Sequence, residues 1–206
     1  MYIDQAEFVV FDVETTGLFP QSGDRIIELA AVKIQQGTIK ESIEFLINPE
    51  RSIPAEAQGI HQITEDMIKG APTAELVLPQ VLDFIGGACL VGHNVKFDLE
   101  FLCYQLSLIG RKLKDETPAL DTIKMAKDLF PHLKSYRLSS LATALGIQIK
   151  EMHRALADVK LTAAILAKLI ALAKQKQIHS FKDLHRNYSV PKPNFKIEQV
   201  VEEFLF

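Results

Sequence analysis

The sequence predicts an α/β protein: a mixed central β-sheet with an antiparallel meander, flanked by α-helices. Three observations carry this. An apolar, β-branched and aromatic run, Phe8-Val9-Val10-Phe11, reads as a buried strand. Two more strand-like runs follow, with Gly37 between them as a hairpin turn. Beyond them, segments with helical apolar spacing alternate with short apolar stretches.

The elements follow in order. The first strand leads into Asp12-Val13-Glu14 and a Thr15-Thr16-Gly17 turn, and residues 17–23 continue as a loop with Pro20 and Ser22. Residues 25–34 and 38–47 form the second and third strands, and Asn48-Pro49 stops the meander. Residues 53–63 read as irregular because Pro54 and Gly59 interrupt them. Thr64 reads as the N-cap of a short helix with Glu65 and Asp66 in its first turn. Residues 73–85 fit one helical face despite Pro79, and Gly86-Gly87 ends that helix. Residues 88–92 form a short strand, His93-Asn94 a turn, and 95–109 a helix. Leu120-Asp121 opens a stretch that becomes helical over 125–130; 137–145 is a short helix closed by Gly146, and 154–175 a long one.

With 206 residues, the chain suits one main domain with an extension. We assign residues 1–173 to the domain and 174–206 to a C-terminal extension, basic at first and then amphipathic. The basic run reads as a solvated face. The stripe of Ile197, Val200, Val201, Phe204 and Leu205 reads as folding back on the domain. The composition, 48% hydrophobic and 24% charged, is that of a soluble globular protein. A net charge of −3 argues against a protein that grips polyanions by global electrostatics, but a metal site can supply local positive charge. Cys89 and Cys103 read as core thiols of a reducing compartment. No secretory signal or membrane-length apolar run is visible, so a cytoplasmic location is expected.

The chemistry lies in acids. Asp12 and Glu14, two apart on a strand, project from the same face. Two like charges held so close repel, and a divalent cation is the simplest reason to place them there. Asp98, in the first turn of a helix, and Asp158, in the first turn of another, supply further oxygen ligands. Taken singly, these two are ordinary helix-start acids and His153 a surface residue. As a set, four carboxylates suit Mg²⁺ or Mn²⁺.

Three stretches in this order carry a family resemblance: Phe11-Asp12-Val13-Glu14-Thr15-Thr16-Gly17-Leu18, Gly92-His93-Asn94 through Asp98, and His153 through Asp158. They resemble the three motifs of the DnaQ-like exonucleases, in the Asp-Glu-Asp-Asp group with a histidine, over about residues 8–173. The resemblance implies an RNase H-like fold and 3′-to-5′ exonuclease activity with two divalent metal ions. Asp12, Glu14, Asp98 and Asp158 would be the metal ligands and His153 the general base. It also implies that Thr15, Thr16, Gly17 and Leu18 touch the terminal nucleotide, that Leu18 wedges against a base, and that His61 lines the nucleotide pocket. Asn94, Phe97 and Phe101 are further candidate contacts, although the phenylalanines also read as core and His61 as a structural loop residue. His93 reads as structural, bonded to backbone.

The expected partner is a single-stranded 3′ end, of DNA, with a DNA polymerase or sliding clamp as a protein partner and no membrane. Gln105-Leu106-Ser107-Leu108-Ile109 resembles a clamp-binding pentapeptide, but helical spacing assigns it to a packed helix. Two alternatives stay open: an RNA-trimming enzyme of the same family, and a non-catalytic polymerase- or clamp-associated module.

Overall fold

The computed structural model describes residues 1–149 and 154–196. Its centre is a five-stranded sheet built from β1 (Phe8–Thr15), β2 (Ile26–Gln35), β3 (Thr38–Leu46), β4 (Cys89–Gly92) and β5 (Ala119–Asp121), in the order β3-β2-β1-β4-β5. β1 pairs antiparallel with β2 and parallel with β4. The antiparallel meander and the parallel half therefore meet on β1.

The continuous apolar run of β1 has a direct cause: both faces of the sheet are covered. Val9, Phe11 and Val13 pack on one side with α3 (Ala74–Ile85) and α4 (Val95–Leu108). Phe8 and Val10 pack on the other, against α5 (Thr122–Leu129), α6 (Leu138–Ala144) and α7 (Ala155–Gln175). Residues two apart share a face, so Asp12 and Glu14 continue the row of Phe8 and Val10 toward α7.

Residues 53–63, expected to be irregular, contain the helix α1 (Ala55–His61), followed by α2 (Glu65–Ile68). Pro54 occupies the N-cap rather than interrupting the helix, and Gln62 ends it in a left-handed conformation. Thr64 precedes α2 as expected but makes no side-chain capping bond.

Beyond α7, α8 (Phe181–Tyr188) covers the α7 side of the sheet with Leu184 and Tyr188 buried. Phe181 packs against Phe8 at a ring separation of 6.2 Å. Val190 N–H bonds Ala119 C=O beside β5, and the Phe195 ring stands edge-on to Tyr104 on the opposite face. Several basic residues of this stretch meet nearby oxygens: Lys174 bonds Asp4, Lys176 bonds Asp128, and Lys192 bonds the Lys114 and Asp115 carbonyls. The apolar stripe at 197–205 lies outside the described residues. No helix among the described residues is long and apolar enough to cross a membrane.

Candidate active site

The site forms where β1 ends and two helices begin. Asp12 and Glu14 come from β1, and Asp158 from the first turn of α7. One carboxylate oxygen from each lies within 4.8 Å of the other two. The donors are all hard oxygens, a set that fits a hard divalent cation.

Asp98 approaches from the opposite side of β1. Gly92 permits this path: a Cβ there would meet Val95 Cγ2 at 2.8 Å, so glycine allows β4 to turn at once into α4. Asn94 takes the turn with φ of 69°, a conformation asparagine tolerates better than most residues. Asp98 is buried, and its Oδ1 accepts a hydrogen bond from Val13 N–H at 3.3 Å. It lies outside the group of three, yet of the neighbouring acids it acts most strongly on Asp12.

The electrostatics match this crowding. Burial, then Asp98, Glu14, Asp158 and Glu28, drive the Asp12 carboxyl well above its usual range. Burial, Asp158 and Glu28 raise Glu14 to about 7, while Arg154 opposes the rise. Burial raises Asp98 to about 8 against the lowering effect of the Val13 N–H. A bound cation would relieve all three by stabilising the ionised forms.

The turn after β1 is tightly built. Thr16 Oγ1 donates to Asp24 Oδ1 at 3.1 Å and accepts from Arg25 N–H at 3.0 Å. Asp24 Oδ2 accepts from Phe19 N–H at 3.0 Å, and Arg51 Nη1 donates to Oδ1 at 3.0 Å. A Cβ at Gly17 would overlap the Asp24 carboxylate, so this glycine is needed for close packing within the loop itself. Thr15 Oγ1 donates to Gly17 C=O at 2.6 Å. Leu18 stands exposed at the crest.

The remaining expected contacts separate by burial. His61 is buried, and its Nδ1 accepts from Ile63 N–H at 3.0 Å, which leaves the proton on Nε2. That Nε2 has no hydrogen-bond partner among the described residues. Burial pulls the His61 pKa down, with Glu28 opposing and Arg154 reinforcing the shift. Asn94 is exposed and Phe97 half-buried. Phe101 is fully buried, 5.0 Å from the Phe97 ring, where it backs Phe97 rather than facing open surface. His93 is structural as expected: a Tyr136 backbone group hydrogen-bonds the ring, and Nδ1 also meets the Thr122 hydroxyl at 2.9 Å. Gln105 is buried in α4, its Oε1 accepting from Ile26 N–H at 2.6 Å, which accounts for the clamp-like pentapeptide as packed helix. His153 lies outside the described residues.

Sequence reasoning missed Glu28 and Arg154. Glu28 is completely buried in β2, and its carboxylate binds the Arg154 guanidinium and Ala155 N–H. The available signal was a lone acid inside the apolar run Ile26-Ile27-Glu28-Leu29-Ala30.

A mixed sheet in this order, with acids gathered at the end of its central strand, is the RNase H-like architecture of the Asp-Glu-Asp-Asp exonucleases. The chain belongs to the family described as Exonuclease (RNase_T), whose model matches residues 9–166, and is a DnaQ-like 3′-to-5′ exonuclease domain. It is 40% identical over 183 residues to a DNA polymerase III PolC-type of Clostridium perfringens, covering 88% of this chain and 12% of that protein. It is 36% identical over 184 residues to the 3′-5′ exonuclease DinG of Bacillus subtilis, covering 89% and 20% respectively. The chain thus spans a minor share of these relatives' length. Among solved structures, Exonuclease X in complex with 5′ overhanging duplex DNA superposes with a TM-score of 0.70 at 26% identity, covering 87% of this chain and 98% of that one.

Proposed function

We propose that this protein is a metal-dependent 3′-to-5′ exonuclease that releases nucleoside 5′-monophosphates from single-stranded or frayed 3′ ends of DNA. The observation that carries the reading is the convergence of Asp12, Glu14 and Asp158 within 4.8 Å at a strand end. Two divalent cations, Mg²⁺ or Mn²⁺, would supply water activation and stabilisation of the leaving oxygen in an in-line displacement at phosphorus. Asp12, Glu14 and Asp158 would hold one, and Asp12 with Asp98 the other.

The chain's own residues do the rest. A ring nitrogen of His153 takes the proton of the attacking water, a task suited to an imidazole that titrates near neutrality. Thr15, Thr16, Gly17 and Leu18 form the floor of the nucleotide pocket, with Leu18 against the terminal base. His61 offers its Nε2–H to the terminal nucleotide, and Asn94 and Phe97 border it, with Phe101 behind. Similarity to a PolC-type DNA polymerase and to a DNA-bound exonuclease supports DNA as the substrate. It also supports a DNA polymerase or clamp as partner and a role in proofreading or repair.

The test is degradation of matched DNA and RNA oligonucleotides with Mg²⁺ or Mn²⁺, with Asp12→Ala as control. DNA shortened from its 3′ end to mononucleotides supports the reading. Preferential loss of RNA overturns the substrate, and no Asp12-dependent cleavage of either overturns the activity.

A further inference from the structure

We propose that Glu28 and Arg154 form a clamp that positions the start of α7, and through it Asp158, against the acids of β1. The inference rests on the metal-dependent reading above. Glu28 Oε1 accepts from Arg154 Nε at 3.0 Å and Nη2 at 2.6 Å, while Oε2 accepts from Ala155 N–H at 2.8 Å. One carboxylate therefore binds a guanidinium fork and also satisfies a backbone donor left open at the helix start. Asp158 follows on the same turn, and its own N–H bonds the Arg154 carbonyl at 3.0 Å.

Stability alone does not account for this pair. Ile26, Ile27, Leu29 and Ala30 around Glu28 are all fully buried, so its carboxylate is held in an apolar strand at a large desolvation cost. The Arg154 side chain keeps 42% of its surface exposed, so the desolvation cost of the pair falls on Glu28, a cost that packing alone gives no reason to carry. What the pair supplies is a directional contact between β2 and α7. The buried α7 residues near its start are Ala155, Asp158, Val159, Leu161, Thr162 and Ala163, whose apolar contacts are non-directional, whereas the Glu28 bonds fix an orientation. Hard cations demand close ligand geometry, and a displacement of about 1 Å at a reacting centre can cost on the order of a hundredfold in rate.

Charge and position give opposite signs, which makes the clamp testable. Arg154 as a mere nearby cation repels a metal ion, so Arg154→Met would tighten Mn²⁺ binding. Arg154 as a clamp holds a ligand in place, so the same change weakens binding, by roughly ten- to a hundredfold as for other groups that orient metal ligands. Mn²⁺ titration calorimetry on the full chain reads the sign directly. Arg154→Lys keeps the charge and loses the fork, so it must weaken Mn²⁺ binding too, and it serves if Arg154→Met fails to fold. Unchanged or tighter binding in the folded variant overturns the clamp. Asp12→Asn is the control: wild-type protein that binds Mn²⁺ no better than this variant overturns the metal reading itself.

Discussion

Glu14 and Glu28 sit directly opposite each other across the β1–β2 ladder, two carboxylates in register on one face of the sheet. Like charges so placed destabilise a sheet. The two resolve the conflict differently. Glu28 bonds to Arg154 and Ala155, whereas Glu14 stays beside Asp158 and its pKa climbs to about 7.

This difference governs how the metal-free protein responds to pH. A carboxyl raised in the folded state stabilises fully below its unfolded pKa, and that stability is lost as pH rises through the folded value. Glu14 at about 7 and Asp98 at about 8 therefore make the chelated protein less stable from about pH 4 to about pH 8. Glu14→Gln should remove part of that loss. It should stabilise the chelated protein by on the order of 2 kcal/mol at pH 8 and by little at pH 4, a figure discounted for the exposed part of the side chain. Denaturant unfolding in chelator at both pH values measures it, and equal effects at the two would contradict the assignment.

Asp12 faces the most neighbouring acids, so its loss should be felt by every ligand. Asp12→Asn should abolish measurable Mn²⁺ heat and lower exonuclease turnover about a thousandfold or more, the scale of losing several kcal/mol of transition-state stabilisation. The chelated variant should melt at or above the wild-type temperature, because an uncompensated buried charge is gone. A lower melting temperature would mark Asp12 as structural.

His153→Ala should separate binding from chemistry. Mn²⁺ and oligonucleotide affinities should hold near wild type while turnover falls about a hundred- to ten-thousandfold. Single-turnover kinetics with saturating enzyme read the step directly. Near-wild-type turnover would take His153 out of the role.

Asp24 holds the loop that follows the acids, so Asp24→Ala should loosen substrate without touching metal. Losing its bonds to Thr16 and Phe19 should raise KM for an oligonucleotide about five- to thirtyfold, equivalent to one or two kcal/mol, with Mn²⁺ affinity unchanged. Gly17→Ala, which collides with the same carboxylate, should act alike. Steady-state kinetics and calorimetry together check the split.

Much of the site was legible because its parts are local. Asp12 and Glu14 follow a continuous apolar strand, and Asp98 and Asp158 stand in the first turns of clearly periodic helices. What escaped depended on distant partners or on length. β5 has three residues, too few for a periodic signal, and α1 was hidden by a proline that caps it. α8 carries four charged or histidine side chains around two buried anchors, Leu184 and Tyr188. Glu28 looked out of place in β2 because its counter-charge lies 126 residues away.

That separation bears on when the protein can act. The β1–β2–β3 meander is local in sequence and can form early, but it carries only Asp12, Glu14 and Glu28. Asp98 reaches Val13 across 85 residues, and Arg154 reaches Glu28 across 126. Contacts so far apart along the chain close late in folding, after the local ones have paid the entropy of collapse. A partly folded chain therefore holds half a cage and no means of cutting, and the capacity to degrade a nucleic acid arrives with the last long-range contact.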